Sequence, residues 1–205
     1  MDESSGEDFG RAFAEVDDTD ESTRLLDAMD ATAGWPAVQD LRQWSLPFLS
    51  GTGDVLDVGC GLGDVLLSIA AANPGHRFVG AEKSLEMIEA ARARAAAASI
   101  DATFEQADAT ALPFPDDGFD AVRSERMLQH VAEPQDAVAE MTRVTKPGGR
   151  VVLIDTDWRT YGTTADPAVE QRIRAIPNPI PTPHAGGFLR SYALGAGLTD
   201  IEVHP

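Results

Sequence analysis

Two acidic side chains and a run of glycines carry the first chemical signal in this chain. Val55-Leu-Asp-Val-Gly-Cys-Gly-Leu-Gly-Asp64 reads as a buried strand, a turn free of side-chain bulk, and the start of a helix. That arrangement turns backbone N–H groups toward a bound ligand. Glu82 ends a second apolar run, roughly 20 residues past the glycines, where a carboxylate accepts from the two hydroxyls of a ribose. Asp108 follows a third run and can accept from an adenine amino group. Together they predict a nucleotide-like cofactor held across the ends of consecutive strands. The spacing is G-x-G-x-G, not the G-x-G-x-x-G of a dinucleotide pyrophosphate site. Cys60, inside the glycine turn, reads as a small buried residue lining that site.

A second group has proton-handling chemistry. The fourth apolar run continues into Ser124-Glu-Arg-Met-Leu-Gln-His130, which carries Arg126, Gln129 and His130 over the same edge. His130 has the basicity to take a proton from a hydroxyl acceptor, or packs beneath the cofactor. Asp157, beside Trp158 after the fifth run, orients an acceptor, serves as a base, or is a turn residue. His184 is a weaker candidate. No short-spaced cluster of His, Cys, Asp or Glu predicts a metal.

The elements that must position these groups alternate strand and helix, the pattern of a parallel α/β sheet. Strands are expected at 55–58, 76–81, 102–106, 119–124, 150–156 and 200–204. A helix begins at Pro36, with Val38, Leu41, Trp44 and Leu49 inward. Others run from Ser84 to about Ala98, with Met87 and Ile88 facing the adenine, from Pro134 to Thr145, and from Phe188 to Ala196. Pro147-Gly148-Gly149 reads as a turn. Residues 1–20 read as an acidic mobile tail, 22–31 as a helix, and 158–186, with five prolines, as an insertion.

Four segments resemble the class I S-adenosylmethionine-dependent methyltransferases, in the small-molecule, UbiE-like group. They are 55–63, Phe78-Val-Gly-Ala-Glu-Lys-Ser84, Gln106–Asp120 with its Leu-Pro-Phe-Pro turn, and Arg143-Val-Thr-Lys-Pro-Gly-Gly-Arg-Val-Val-Leu153. The resemblance spans roughly 35–205 and makes 21–205 a single domain. It implies a three-layer, doubly wound Rossmann-like sheet, mostly parallel, with 158–186 as a substrate cap. It implies that Gly59 and Gly61 approach the methionine part of S-adenosylmethionine while Asp57 orients their loop. Glu82 then holds the ribose, with Lys83 beside it. Asp108 and the Ala109 N–H recognise adenine, and Ser124 lies under the cofactor through its carbonyl. Arg42 either pairs with the cofactor carboxylate or is a surface arginine. No Asn-Pro-Pro-Tyr motif follows the fourth strand, so methylation of base or amide nitrogens is not expected. The chain stops at Pro205, so the family's seventh strand is expected to be absent, leaving an edge that a second copy can pair with as a homodimer.

The 205 residues fit one domain with a sizeable core. A net charge of −18 and a pI near 4.4 repel phosphate backbones and anionic lipid surfaces. A small-molecule methyl acceptor is therefore expected, with no nucleic acid and no membrane partner. The acidic N-terminus and lack of a long apolar run predict a cytoplasmic protein. Lys83 and Lys146 are the only lysines, a bias that fits high-GC coding or salt adaptation. A nicotinamide-dependent oxidoreductase and a cofactor-binding module without turnover are the alternatives.

Overall fold

A computed structural model of the chain describes residues 31–49, 51, 53–160, 168, 171 and 180–204. The expected acidic tail, nearly all of the helix at 22–31 and most of the 158–186 insertion lie outside the described residues. Five strands form one sheet: β1 (Val55–Val58), β2 (Phe78–Glu82), β3 (Thr103–Gln106), β4 (Phe119–Glu125) and β5 (Thr145–Ile154). Their order is β3-β2-β1-β4-β5 and every pairing is parallel. Such a sheet is covered on both faces, which is why its central strand is apolar except for Asp57. Val55 packs into one layer, while Leu56 and Val58 pack into the other.

The first layer is built by α1 (Pro36–Ser45), α2 (Asp64–Ala72) and α3 (Leu85–Ala98). Val65, Leu66 and Ile69 of α2 and Ile88, Ala91 and Ala95 of α3 meet Phe78 and Phe104 there. The Ser84 hydroxyl caps α3 by accepting from the Met87 N–H at 3.2 Å. The opposite layer holds α4 (Pro134–Val144), with Met141 and Val144 against Phe119 and Val122. The short α5 (Leu189–Gly195) packs on α4 through Leu189 and Tyr192.

Three expectations are corrected. Residues 201–204 adopt no regular structure, so the sixth strand does not form and β5 is an edge of the sheet among the described residues. Trp44 is 40 % exposed rather than inward; its ring meets Phe48 and His204 at 5.0 and 4.9 Å. The Pro147-Gly148-Gly149 turn falls inside β5 as a register irregularity against β4, between Phe119↔Thr145 and Ala121↔Arg150. No helix among the described residues is long and apolar enough to cross a membrane.

Candidate functional site

The glycine turn owes its shape to backbone that side-chain-bearing residues avoid. Gly59, Gly61 and Gly63 have φ of 72°, 52° and 80°. A Cβ on Gly59 would also run into the Met127 side chain. The Gly59 and Cys60 N–H groups donate to the Ala81 carbonyl at 2.8 and 3.2 Å, folding the turn onto β2. There the Gly61 N–H reaches Glu82 Oε2 at 3.1 Å, while Glu82 Oε1 accepts from the N–H groups of Lys83 and Ser84 at 2.8 and 3.2 Å. Ala107 donates to the Glu82 carbonyl at 2.9 Å, and Gln106 Nε2 to the Lys83 carbonyl at 2.9 Å. The tips of β1, β2 and β3 are thereby joined. Asp108, one residue on, accepts from the Thr110 N–H and hydroxyl at 2.9 and 2.7 Å. These bonds hold its carboxyl below the usual range. Met87 is buried and Lys83 is exposed.

A cleft opens beside the turn. Arg42, Asp57, Gly59, Cys60, Gly61, Glu125 and Arg126 are among its lining residues; Glu82 does not line it but contacts Gly61, which does, and Asp108 lies one step further out, after Ala107, which donates to the Glu82 carbonyl. Its floor is a ladder of alternating charge. Asp57 and Arg123 are register partners on β1 and β4, so their side chains share a face. Arg123 Nη1 donates to both Asp57 oxygens at 3.0 Å, and Nη2 to Glu125 Oε2 at 2.8 Å. Arg42 Nε, from α1, reaches Glu125 Oε1 at 3.1 Å. Burial raises the Asp57 carboxyl, with Arg123 pulling it back. Burial works against the Arg123 charge, yet Asp57 and Glu125 outweigh it and the guanidinium stays protonated. Burial would raise Glu125 too, but Arg123, Arg42 and Arg126 hold it below the usual glutamate range. The Cys60 thiol is pushed up by burial, then by Asp57 and Glu82, and stays protonated.

The turn after β4 brings Arg126 to the cleft, and the end of β5 anchors that turn. Arg126 is a non-glycine residue at φ 54°, and its N–H donates to the Ile154 carbonyl at 2.7 Å. Burial, and next the Arg126 charge, lower His130 to about 4. Asp157 is committed to its neighbour: Arg159 donates to it from backbone N, Nε and Nη2 at 3.0, 2.9 and 2.7 Å. Ser124 is buried, and its Oγ has no hydrogen-bond partner among the described residues.

A family model described as "Methyltransferase domain" matches residues 56–153. The ubiquinone/menaquinone biosynthesis C-methyltransferase UbiE of Syntrophotalea carbinolica is 32% identical over 170 residues, covering 80% of this chain and 69% of that protein. This chain belongs to the class I S-adenosylmethionine-dependent methyltransferases. A demethylmenaquinone methyltransferase of Thermus thermophilus is 40% identical over 101 residues, 49% of this chain and 46% of the relative. Among solved structures, the (4+2)-cyclase SpnF matches with a TM-score of 0.53 at 33% identity, covering 57% of this chain and 44% of that one. The methyltransferase-family chain spans about half the length of the curated relatives it matches.

The residues present suit the family's cofactor, S-adenosylmethionine. The turn is bare where a Cβ would intrude, Glu82 sets a carboxylate against that turn, and Arg42 brings a cation to the cleft. Sequence reasoning missed Arg123 and Glu125. The alternation Arg123-Ser124-Glu125 places two charges on one face of a strand, and that pattern could have flagged the ladder.

Proposed function

We propose that this chain transfers the methyl group of S-adenosylmethionine to a small molecule, and that the acceptor is the reduced ring of a quinone precursor. The observation that carries the reading is the Gly61 N–H to Glu82 contact, which makes the glycine turn and the β2 carboxylate parts of one site. In this reading Glu82 accepts from the ribose, Asp108 and the Ala109 N–H meet adenine, and Arg42 exchanges part of its pairing with Glu125 for the cofactor carboxylate. The Ser124 carbonyl lies beneath. S-adenosylmethionine supplies a methyl carbon already activated on a sulfonium. The protein's contribution is then mainly to hold the reactants in line, an effect worth about 7–11 kcal/mol. The names of the two quinone-pathway relatives support the acceptor class. The low basicity of His130 supports its packing role over a role as base, and the Arg159 pairing of Asp157 supports a turn residue.

Calorimetric titration with S-adenosylmethionine and, separately, NAD tests the cofactor. Saturable heat with the first is expected; heat with NAD alone overturns the assignment. Labelled methyl should then pass to demethylmenaquinol. A second reading, cofactor binding without methyl transfer, is favoured by one observation: SpnF, at 33% identity, bears the name of a cyclase. Tight binding without release of S-adenosylhomocysteine across quinol, phenol and amine acceptors would select it.

A further inference from the structure

Asp155 is the first residue past β5. The sequence had the fifth strand running to Thr156, which buried Asp155 within it and left Asp157 at the edge. The strand ends at Ile154 instead, so Asp155 occupies the ligand-facing end of the sheet. Its Oδ1 accepts from the Thr156 N–H at 2.8 Å and its Oδ2 from the Gln129 N–H at 3.2 Å. The carboxylate therefore faces the turn after β4, the segment that carries Arg126 into the cofactor cleft.

Four segments converge on this seat. Gln129 Oε1 accepts from Trp158 Nε1 at 2.6 Å, and its Nε2 donates to the Arg126 carbonyl at 3.0 Å. The Thr182 N–H donates to the Gln129 carbonyl at 2.9 Å. A Cβ on Gly186 would lie 2.5 Å from the Asp155 carbonyl oxygen, so that segment lies directly against it. Arg126 from the β4 turn and Tyr192 from α5 interact electrostatically with the carboxyl. Arg126 also acts on His130 of the same turn.

Resting on the methyl-transfer reading above, we propose that Asp155 accepts the hydroxyl proton of the acceptor bound beside Arg126. The acceptor O–H bond breaks and the carboxylate becomes a carboxylic acid. In the quinol the released electron pair passes through the ring to the carbon that bonds the methyl as the methyl–sulfur bond breaks. That carbon then loses its hydrogen as a proton, the oxygen regains one, and the surplus proton leaves to water with no change in oxidation state. Enclosure raises the carboxyl to about 6, only partly offset by the backbone N–H groups of Thr156, Gln129 and Leu128 and by Arg126. A base of that strength suits proton transfer near neutrality better than His130 at about 4.

The test compares wild type with Asp155→Asn, using 4-nitrophenol as a bound phenol and demethylmenaquinol as methyl acceptor. A carboxylate at hydrogen-bond distance disfavours the phenolate, so bound nitrophenol should ionise at higher pH in wild type than in the variant. With the quinol, kcat/KM should fall by about 10²–10⁴-fold and its acid limb near pH 6 should vanish. Affinity for S-adenosylmethionine should be unchanged. Equal nitrophenol titrations, no nitrophenol binding to either protein, or a surviving acid limb would overturn the proposal. If wild type shifts nitrophenol but leaves the quinol untouched, the quinone reading fails and the Asp155 assignment stands. If Asp155→Asn does not fold, Asp155→Glu decides. A displaced nitrophenol titration or acid limb supports the assignment, and unchanged values overturn it.

Discussion

Asp57 and Arg123 face each other across β1 and β4 where neither meets water. A buried pair of this kind adds little over an apolar pair, but removing one partner strands the other, at about 3–5 kcal/mol. Arg123→Met, which strands Asp57, should lower stability by about that amount in urea unfolding, Asp57→Asn should cost less because Arg123 keeps Glu125, and the double variant should lose clearly less than their sum. Glu82 makes a different case, since the amide keeps one oxygen to accept backbone N–H groups, while its NH2 cannot accept one and the charge is lost. Glu82→Gln should weaken S-adenosylmethionine binding by about tenfold or more in calorimetry. His130 gives a pH signature. Its folded value of about 4 lies below its ordinary 6.5, so its contribution to stability is present above pH 6.5 and is lost as pH falls through 4. His130→Gln should flatten the fall in melting temperature between pH 6.5 and 4. Asp155 has the opposite sign, raised from 3.8 to about 6; its contribution is full below 3.8 and lost as pH rises through 6. The ladder was not legible from sequence because Asp57 and Arg123 are 66 residues apart and only the strand register brings them together.

Among the elements, the turn between β3 and β4 shows how a loop is held. Arg143 on α4 donates to the carbonyls of Leu112 and Phe114 at 3.0 and 2.8 Å, and to Asp116 at 2.8 Å. It also grips Glu140, which in turn accepts from the Leu112 N–H at 2.8 Å. Arg143→Ala should speed hydrogen exchange at the Leu112 amide while leaving β1 amides protected. The strands around the site were legible because central parallel strands are near-continuous apolar runs that end in Gly, Glu or Asp. The segment at 200–204 alternates Ile201 and Val203 like a strand, but a strand exists only with a neighbour to pair with. This one sets His204 against Trp44 instead. Helical spacing put Trp44 on the inward stripe of α1, yet it lies at the end of that helix, where its ring meets Phe48 and His204 rather than the core. The end of β5 was placed too late for a simple reason. An error of two residues in where a strand stops moves the edge from one aspartate to the next.

For the molecule as a whole, a net charge of −18 sets the background. Against it, Arg42, Arg123 and Arg126 gather at one cleft and match its carboxylates Asp57, Asp64 and Glu125, so an anionic group meets less repulsion there than over the rest of the surface. Self-repulsion elsewhere is screened by salt. The melting temperature should therefore rise between low salt and about 0.5 M, where the Debye length is roughly 4–5 Å; a flat response would show that the acidic surface costs the fold little. The fold, and with it the glycine turn beside Glu82, was legible because both are written in local runs. The proposed acceptor side was not, because it is assembled from the turn after β4, the end of β5 and the 180–196 segment, which no local pattern connects.

All three indoles of the chain are partly exposed, Trp35 at 59 %, Trp44 at 40 % and Trp158 at 38 %. They sit at the start of α1, at its end, and just past β5. Native emission should thus already resemble that of wet tryptophan, and denaturation should shift its colour only slightly. Circular dichroism is the better gauge of global melting. Fluorescence is best kept for titrations, since two indoles ride on the helix that contributes Arg42 and the third is tied through Gln129 to the turn bearing Arg126.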